Sequence, residues 1–322
     1  MKKRWIVAMC LGVALLLVLP LTGYGVEKKI KIGYSLWTME FTFFQNLNKG
    51  VQDACEDFGF DYVMIDQNSD PMKMVQDLNS LVGQKVSGIV VTPVDPGAIG
   101  PAVQNARKAG IPVVCADIGK SGPINALLIS NNYKGGELAA QYLDTLLKKD
   151  KVKSKVVACG DCKPQWTYAR QRGEGFRDMA KKLGYTIGSN IVVEVPSAEG
   201  GYDTMQQIIS AAPNVAGVFF VSGREAVGAA NAIKASGKKI YAVGYNGDPE
   251  ELLAIKDGVL AATVAQEPWL IGYESVRVMK EILVDKKKYE DAVIPVDVEL
   301  VTPANIDEWA KKAEERRGQP AY

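Results

Sequence analysis

Short, almost wholly apolar segments alternate with longer amphipathic segments along this chain of 322 residues. The first apolar segment, KIKIGYSL, precedes a segment in which apolar residues recur at helical spacing, namely Phe44, Leu47, Val51, Ala54 and Phe58. A strand that is buried on both faces lacks the polar–apolar alternation of a half-exposed strand. Such strands between helices predict a parallel sheet that is covered by helices on both faces.

The alternation occurs in two sets. The first set continues through DYVMID, GIVVTPV and IPVVCAD, with one helix that begins at Pro71 and another that ends at Gly110. The second set runs through KVVACG, NIVVEV, GVFFVS, KIYAVGYN and LAATVAQ. One further helix, a strand at IPVDVELV and a terminal helix are too little for a third domain. We therefore predict an α/β protein with two doubly wound, parallel-sheet lobes that the last part of the chain completes.

The N-terminal residues predict export. A basic head, MKKR, precedes an apolar run that Pro20 ends, and the small residues Gly23 and Gly25 suit a cleavage site. The alternative is an uncleaved membrane anchor, but the run is shorter than the roughly 20 residues that a spanning helix needs. We predict a signal peptide over residues 1–26, cleavage after Gly25 and a periplasmic mature protein.

Composition excludes several classes of function. The chain contains no histidine, which removes Ser-His-Asp hydrolysis, Cys-His proteolysis and zinc catalysis through histidine ligands. The net charge is +1 and no basic face is apparent, so no nucleic-acid partner is expected. No G-x-G-x-x-G follows the first strand, which argues against a dinucleotide enzyme. We predict that the protein is not an enzyme and holds neither a metal nor a cofactor.

The cysteines allow a second interpretation. Cys159 and Cys162, in CGDCK, have the spacing of a redox C-x-x-C motif, so a thiol–disulfide enzyme is the alternative function. A long two-lobed chain is not the usual context of that motif. In an exported protein the pair is instead expected to form a local structural disulfide. Cys55 and Cys115 are expected in the core.

Aromatic and planar polar side chains follow the predicted strands. In a doubly wound sheet, ligands bind outside the carboxyl ends of the strands. Aromatic rings pack against the C–H faces of a sugar, and carboxylate, amide and guanidinium groups match its hydroxyls. Of two nearby arginines, Arg170 is assigned to the site and Arg172 to a solvated helix surface. The candidate ligand-binding residues are Trp37, Phe41, Phe43, Phe44, Asp117, Trp166, Arg170, Ser222, Asn246 and Gln266.

Seven stretches carry a family resemblance: FTFFQNLNKG, GIVVTPVDPGAIGPAV, AGIPVV, NNYKGGELAA, ARQRGEGF, VGYNGDP and LAATVAQEPWLIG. With them, the chain from about Lys29 to Thr302 resembles the periplasmic sugar-binding proteins of the ribose-binding type. Lactose-repressor-like regulators share that fold in their ligand-binding core. A regulator also needs an N-terminal helix-turn-helix, where this chain has the predicted signal. The resemblance implies sugar contacts at Phe43, Phe44, Asp117, Arg170 and Gln266.

Four positions depart from the family pattern. Phe41 and Ser222 each stand where the ribose binders have an asparagine, Ile118 replaces an arginine, and Asn246 replaces an aspartate. A gap around Ser197–Glu199 leaves the aromatic residue of the second lobe without a counterpart. These differences favour a hexose, a deoxy sugar or a sugar alcohol over ribose.

The resemblance also implies the domain organisation and the partners. The first lobe comprises residues 27–130 and 267–297, and the second comprises residues 131–266 and 298–322. Three crossings are expected, near 130–132, 266–267 and Asp297, with hinge closure around the ligand. The implied partners of this monomeric receptor are a monosaccharide or polyol and the membrane permease of an ATP-driven (ABC) importer. The alternative is a sensor that reports its ligand state to a membrane receptor.

Overall fold

The computed structural model describes residues 29–164, 166–318 and 321, so the predicted signal peptide lies outside the described residues. In this part of the chain the strands are β1 (Lys31–Leu36), β2 (Asp61–Asp66), β3 (Gly88–Val91), β4 (Val113–Ala116), β5 (Ala126–Ser130), β6 (Val156–Asp161), β7 (Thr186–Val192), β8 (Gly217–Phe220), β9 (Tyr241–Asn246), β10 (Ala262–Ala265), β11 (Ala292–Val296) and β12 (Glu299–Val301). The helices are α1 (Thr42–Asp57), α2 (Pro71–Gly83), α3 (Gly100–Lys108), α4 (Asn132–Lys149), α5 (Thr167–Lys182), α6 (Ala198–Ala211), α7 (Gly223–Ser236), α8 (Pro249–Lys256), α9 (Pro268–Leu283) and α10 (Ile306–Arg317).

The strands form two six-stranded sheets with the same winding. The first sheet has the order β11-β5-β4-β3-β1-β2, and the second has the order β12-β10-β9-β8-β6-β7. All neighbouring strands are parallel except β12, which runs antiparallel to β10. The order of strands reverses beside β1 in one sheet and beside β6 in the other, as in doubly wound folds. The predicted fold class is confirmed.

We call the first sheet with its helices lobe one and the second sheet with its helices lobe two. Helix α9 packs on α1 in lobe one, whereas α10 contributes the buried Trp309 to the core of lobe two. The chain therefore passes between the lobes after β5, after β10, and between β11 and β12. Among the described residues, we find no helix with the length and apolar character that crossing a membrane requires.

The predicted apolar faces are buried in both lobes. On α1, Phe44, Leu47, Val51 and Ala54 are buried, and Phe58 at the end of the helix packs partly against the same core. Parallel strands β3, β4, β8 and β10 are buried along their whole length, which is why they read as continuous apolar runs.

Local sequence explains where α2 begins. The Asp70 carboxylate accepts hydrogen bonds from the backbone N–H groups of Met72 (2.8 Å) and Lys73 (3.3 Å). Pro71 occupies the first helical turn, where its missing N–H has no intrahelical partner to lose. The helix then buries Met74 and its apolar neighbours against the sheet.

The structure differs from the predicted pattern in two places. The alternation of segments does not predict the strand β5 or the helix α4. The helix buries small residues such as Gly135, Gly136 and Ala139, which give a weak hydrophobic signal. The prediction of one strand at IPVDVELV is wrong. Val296 pairs with Ser130 in the first sheet, whereas Glu299 pairs with Ala265 in the second.

Helices α4 and α5 are in close backbone contact. A Cβ atom on Gly136 would lie 1.9 Å from the carbonyl oxygen of Arg172, and one on Gly175 would lie 2.0 Å from the carbonyl oxygen of Tyr133. Both distances are far below any real Cβ contact, so only glycine permits this approach. The contact sets the position of α5 relative to the rest of lobe two.

Candidate ligand-binding site

A cavity of about 380 Å³ lies between the two lobes, where the carboxyl ends of the strands from both sheets meet. Its walls include side chains that follow β1 and β4 in lobe one and β6, β8, β9 and β10 in lobe two. This is the place where doubly wound sheets hold ligands, and its volume is in the usual range for a small-molecule pocket.

The structure brings most of the predicted site residues together at this cavity. Those that line it are Trp37, Phe41, Phe43, Phe44, Asp117, Trp166, Ser222, Asn246 and Gln266. Arg170 is the exception. The residues that line the cavity without having been predicted include Tyr168, Arg172 and Glu225.

The assignment of the two arginines on α5 is wrong and must be reversed. The Arg170 side chain is 49% exposed, and its Nε lies 3.6 Å from Glu174 on the outer face of the helix. Arg172 is 4% exposed and lines the cavity. Residues two apart on a helix are rotated by roughly 200°, so only one of the pair can point inward. Of the two arginines in the stretch ARQRGEGF, Arg172 is the one that reaches the cavity.

Arg172 is held by four hydrogen bonds to neutral acceptors. Its Nε donates to Asn132 Oδ1 (2.7 Å), and its Nη1 donates to the carbonyl oxygen of Val221 (3.0 Å) and to Asn246 Oδ1 (3.3 Å). Its Nη2 donates to Gln266 Oε1 (3.3 Å). These acceptors come from four different segments of the chain, so the guanidinium joins α4 to the ends of β8, β9 and β10.

Aromatic rings complete the surroundings of Arg172. Its Cζ lies 3.8 Å from the centroid of the Tyr245 ring and 5.5 Å from that of Tyr168. No ion pair among the described residues includes this guanidinium. A buried cation needs either a countercharge or dense hydrogen bonding, and here hydrogen bonds and ring faces provide the stabilisation.

Asp117 lies on the opposite wall of the cavity, in a tight turn after β4. Asp117 and Ile118 both have a φ of 62°, in the left-handed region. Asp117 is 3% exposed. Burial raises the pKa of its carboxyl from 3.8 to about 6, and the Arg172 charge and the Ile118 backbone N–H oppose that rise. The carboxyl is thus poorly solvated.

The aromatic side chains of lobe one form a continuous wall. Phe44 is the centre, with the ring centroids of Trp37, Phe43 and Phe41 at 5.2, 5.3 and 6.2 Å. The indole Nε1 of Trp37 donates to Ser69 Oγ at 3.0 Å, which fixes its orientation. These four aromatic side chains are therefore packed against one another, with one side toward the cavity.

Tyr168 connects the two lobes. It belongs to α5 of lobe two, yet it packs against the hydrophobic core of lobe one as well as that of lobe two. Together with Trp166, it gives lobe two an aromatic wall. The gap near Ser197–Glu199 had left the aromatic residue of this lobe without a predicted counterpart. The sequence signal that could have identified Tyr168 as a site residue is its position directly before the stretch ARQRGEGF.

Amide groups link the ends of β9 and β10. Gln266 Nε2 donates to Asn246 Oδ1 at 2.9 Å, and Asn246 Nδ2 donates to Asp248 Oδ2 at 3.0 Å. Arg172 donates to both amide oxygens. This network fixes the orientation of the polar groups of lobe two.

The predicted disulfide between Cys159 and Cys162 is absent. All four cysteines of the described residues, Cys55, Cys115, Cys159 and Cys162, are free and buried. Cys159 lies within β6 and Cys162 follows its last residue, and three residues of extended chain span roughly 10 Å. A disulfide needs Cα atoms within about 7 Å of each other, so this backbone keeps the pair too far apart.

The environment of these thiols also opposes redox chemistry. Burial raises the pKa of Cys162 to about 12 and that of Cys159 well above its ordinary value. A catalytic cysteine needs a lowered pKa, because the thiolate is the nucleophile.

Comparison with known proteins agrees with this architecture. The model of the periplasmic binding protein domain matches residues 32–288. The ribose import binding protein RbsB of Bacillus subtilis (strain 168) is 34% identical over 281 residues, which are 85% of this chain and 88% of that protein.

Two solved structures share the fold. A periplasmic ribose ABC transporter protein from Conexibacter woesei has a TM-score of 0.83 at 24% identity, with 90% of this chain and 98% of that chain covered. A carbohydrate transporter solute-binding protein from Agrobacterium radiobacter, solved with D-arabinose, has a TM-score of 0.74 at 25% identity, with 90% and 99% covered. The chain belongs to the periplasmic binding protein family, in the group that includes the ribose import binding proteins.

Proposed function

We propose that this protein binds a small sugar or polyol in the cavity between its lobes and delivers it to the permease of an ATP-driven importer. The observation that carries the proposal is that one cavity has an aromatic wall and a polar wall. An aromatic surface centred on Phe44 faces a preorganised polar network centred on Arg172. A sugar ring has both the apolar face and the hydroxyl edge that such walls require.

The two charged groups divide the work between the lobes. Asp117 accepts a hydrogen bond from a ligand hydroxyl on the side of lobe one. Arg172 has five N–H donors, and four of them bond to other groups of the protein. The guanidinium donates to a ligand oxygen from the side of lobe two. One ligand that touches both groups favours the closed arrangement of the lobes, because only that arrangement makes both contacts.

The site favours a ligand other than ribose. Ile118 is buried beside Asp117 and brings no polar group to the cavity. Phe41, Trp166 and Tyr168 extend the aromatic surface. A hexose, a deoxy sugar or a sugar alcohol fits an enlarged stacking surface with fewer polar contacts. The relative named for ribose import and the similar structure solved with D-arabinose support small carbohydrates as the class.

The position in the cell follows from the same proposal. The expected signal over residues 1–26 exports the chain, and the mature receptor captures its ligand in the periplasm. The three crossings between the lobes act as the hinge, and closure creates the surface that the permease recognises.

A thermal-shift screen of monosaccharides and sugar alcohols tests the binding function. A ligand that binds only the folded state raises the melting temperature by mass action. We expect one or a few hexoses, deoxy sugars or polyols to raise it, and Arg172→Ala to abolish the shift while Arg170→Ala retains it. A screen in which no carbohydrate stabilises the wild-type protein would contradict the proposal.

Export and delivery have separate measurements. Mass spectrometry of the protein from the periplasmic fraction should find a mature N-terminus near residue 26, and a chain that still begins at Met1 would argue against cleavage. Stimulation of the ATPase of the cognate permease by the sugar-loaded protein, and not by the sugar-free protein, would establish the transport role.

A further inference from the structure

Glu225 occupies an unusual position for an acidic residue near the start of a helix. Helix α7 begins at Gly223, directly after Ser222, so Glu225 lies in its first turn. Acidic residues are common there because they interact favourably with the helix dipole, and they are normally solvated. Glu225 is instead only 6% exposed and lines the cavity between the lobes.

The Glu225 carboxyl is incompletely satisfied. Within the described part of the chain, no donor lies within hydrogen-bonding distance of its buried Oε2. Burial raises the pKa of this carboxyl, and Ser222, its own backbone N–H, Arg172 and Arg224 only partly oppose that effect. A buried acceptor without a donor is unfavourable, so a ligand that supplies one gains affinity at this position.

Asp161, another acidic residue that lines the cavity, has partners that explain its position. The carboxylate of Asp161 pairs with Arg177 and accepts from the backbone N–H of Cys162 at 2.9 Å. That carboxylate supports the local structure at the end of β6. Glu225 Oε2 has no comparable structural contact, which points to a role toward the ligand.

Nearby charges indicate which kind of donor suits Glu225. Both Arg172 and Arg224 act electrostatically on its carboxyl. A ligand ammonium group placed at Glu225 would also approach these two guanidinium groups, and like charges repel. A neutral hydroxyl donates the same hydrogen bond without that repulsion.

We propose that Glu225 is a specificity-determining residue of the site, which accepts a hydrogen bond from a neutral hydroxyl at the ligand edge that faces α7. This inference rests on the proposed carbohydrate binding and adds a second carboxyl to the site, on the wall opposite Asp117. The ligand class is a neutral polyhydroxylated molecule with donors on both edges. A ligand that lacks the hydroxyl at the edge that faces α7, or carries an amine at that edge, is rejected.

The test compares Glu225→Leu and Glu225→Gln with Glu199→Gln. Glu199 is the matched control, because it lies in the first turn of the neighbouring helix α6 and is exposed. The probes are D-ribose, D-arabinose, D-glucose, D-galactose and myo-inositol, with D-glucosamine and D-galactosamine as the amine-bearing counterparts. Calorimetry gives the dissociation constants, and thermal unfolding without any sugar gives the stability of each variant.

We expect Glu225→Leu to weaken binding of the preferred neutral probe about tenfold or more, the effect of one charge-assisted hydrogen bond. Glu225→Gln should retain part of the affinity, since its amide oxygen still accepts. The melting temperature of sugar-free Glu225→Leu should be unchanged or higher, since an unsatisfied buried carboxyl is removed. A merely structural role for Glu225 would lower it. Glu199→Gln should resemble the wild type in both measurements.

Each contrary outcome has a distinct meaning. If Glu225→Leu binds the neutral probe as tightly as the wild type, this inference fails while the proposed function stands. A wild-type preference for an amino sugar over its neutral counterpart overturns the hydroxyl assignment. If the wild type binds none of the seven probes, this inference is overturned, whereas the carbohydrate function is decided by the wider thermal-shift screen. A lower melting temperature in Glu225→Leu makes Glu225 a structural residue.

Discussion

The guanidinium of Arg172 lies over the ring of Tyr245, with Cζ 3.8 Å from the ring centroid. Both residues belong to lobe two, and so do the segments that supply the other contacts of Arg172. The arginine is therefore positioned before a ligand arrives, so that little side-chain entropy is lost on binding. Substitution of Arg172 should consequently affect ligand binding and the local network together.

Arg172→Lys tests this arrangement. Lysine keeps the charge but has neither the planar fork nor the flat face that stacks on Tyr245. We expect the affinity for the best ligand of the carbohydrate screen to fall by roughly tenfold to a hundredfold, since hydrogen bonds to charged groups contribute about 1.5–3 kcal/mol. Arg170→Lys, two residues earlier on the exposed face, should leave the affinity unchanged in calorimetry. Equal losses in the two variants would refute the assignment of Arg172 to the site.

Asp117→Asn should separate stability from binding. Asparagine has nearly the same shape and tolerates the left-handed conformation at this position. Since the pKa of Asp117 is about 6 in the folded protein and near 3.8 in the unfolded chain, the native state holds its proton to higher pH. Stability should fall as pH rises from about 4 to about 6 and then stay lower by about 3 kcal/mol. The asparagine variant lacks this loss.

Urea unfolding at pH 4 and pH 8 measures the effect of Asp117→Asn. At pH 4 the two proteins should be similarly stable, and at pH 8 the variant should be the more stable, by up to about 3 kcal/mol. Its affinity for the ligand should nevertheless be lower at pH 8, because a charged acceptor has been removed. A difference in stability that is the same at both pH values would show that Asp117 does not titrate as described.

Gly136→Ala should disturb the site from outside it. The new methyl group would lie 1.9 Å from the carbonyl oxygen of Arg172, so α5 must move away from α4. We expect a loss of about 1–3 kcal/mol in the free energy of unfolding, typical of overpacking, together with weaker ligand binding. Gly83→Ala is the control, since a Cβ there meets nothing within 4 Å. It should be neutral or stabilising by up to about 1 kcal/mol.

Arg224 and Phe41 form a contact between the lobes. The guanidinium Cζ of Arg224 lies 5.0 Å from the ring centroid of Phe41, and both residues line the cavity. An exposed cation–π contact contributes about 0.5–1 kcal/mol, so Arg224→Ala should raise the dissociation constant roughly two- to fivefold. Lys234→Ala, near the end of the same helix, should have no effect. Calorimetry on both variants decides, and an unchanged affinity in Arg224→Ala would show that the contact does not favour closure.

The thiols should remain reduced in the purified protein. Alkylation in denaturant, followed by peptide mass spectrometry, should find Cys159 and Cys162 fully labelled without prior reduction. In the native protein both should react slowly, since burial raises the pKa of each thiol. Recovery of a disulfide-linked Cys159–Cys162 peptide would contradict the extended geometry at the end of β6.

Much of this protein was accessible from its sequence. Buried parallel strands and amphipathic helices have distinct hydrophobic periods, so the two doubly wound lobes followed from local patterns such as GIVV and the apolar face of α1. The carboxyl ends of parallel strands lie along one edge of a sheet. Residues that directly follow strands, such as Asp117, Ser222 and Gln266, were for that reason correctly placed at the cavity.

Tertiary structure decided what depends on direction and distance between segments. Arg170 and Arg172 are the same residue type in the same stretch, so residue type alone does not distinguish them. Only the packing of α5 on α4, through Gly136, shows which of them points inward. Nothing in the local sequence marks Glu225 as buried, and only the fold buries it. The spacing of Cys159 and Cys162 predicts a disulfide, but the extended backbone of β6 separates the two thiols, and both are free. Sequence spacing determines whether a segment forms a helix or a strand, whereas the neighbouring elements determine which face of that helix or strand is buried.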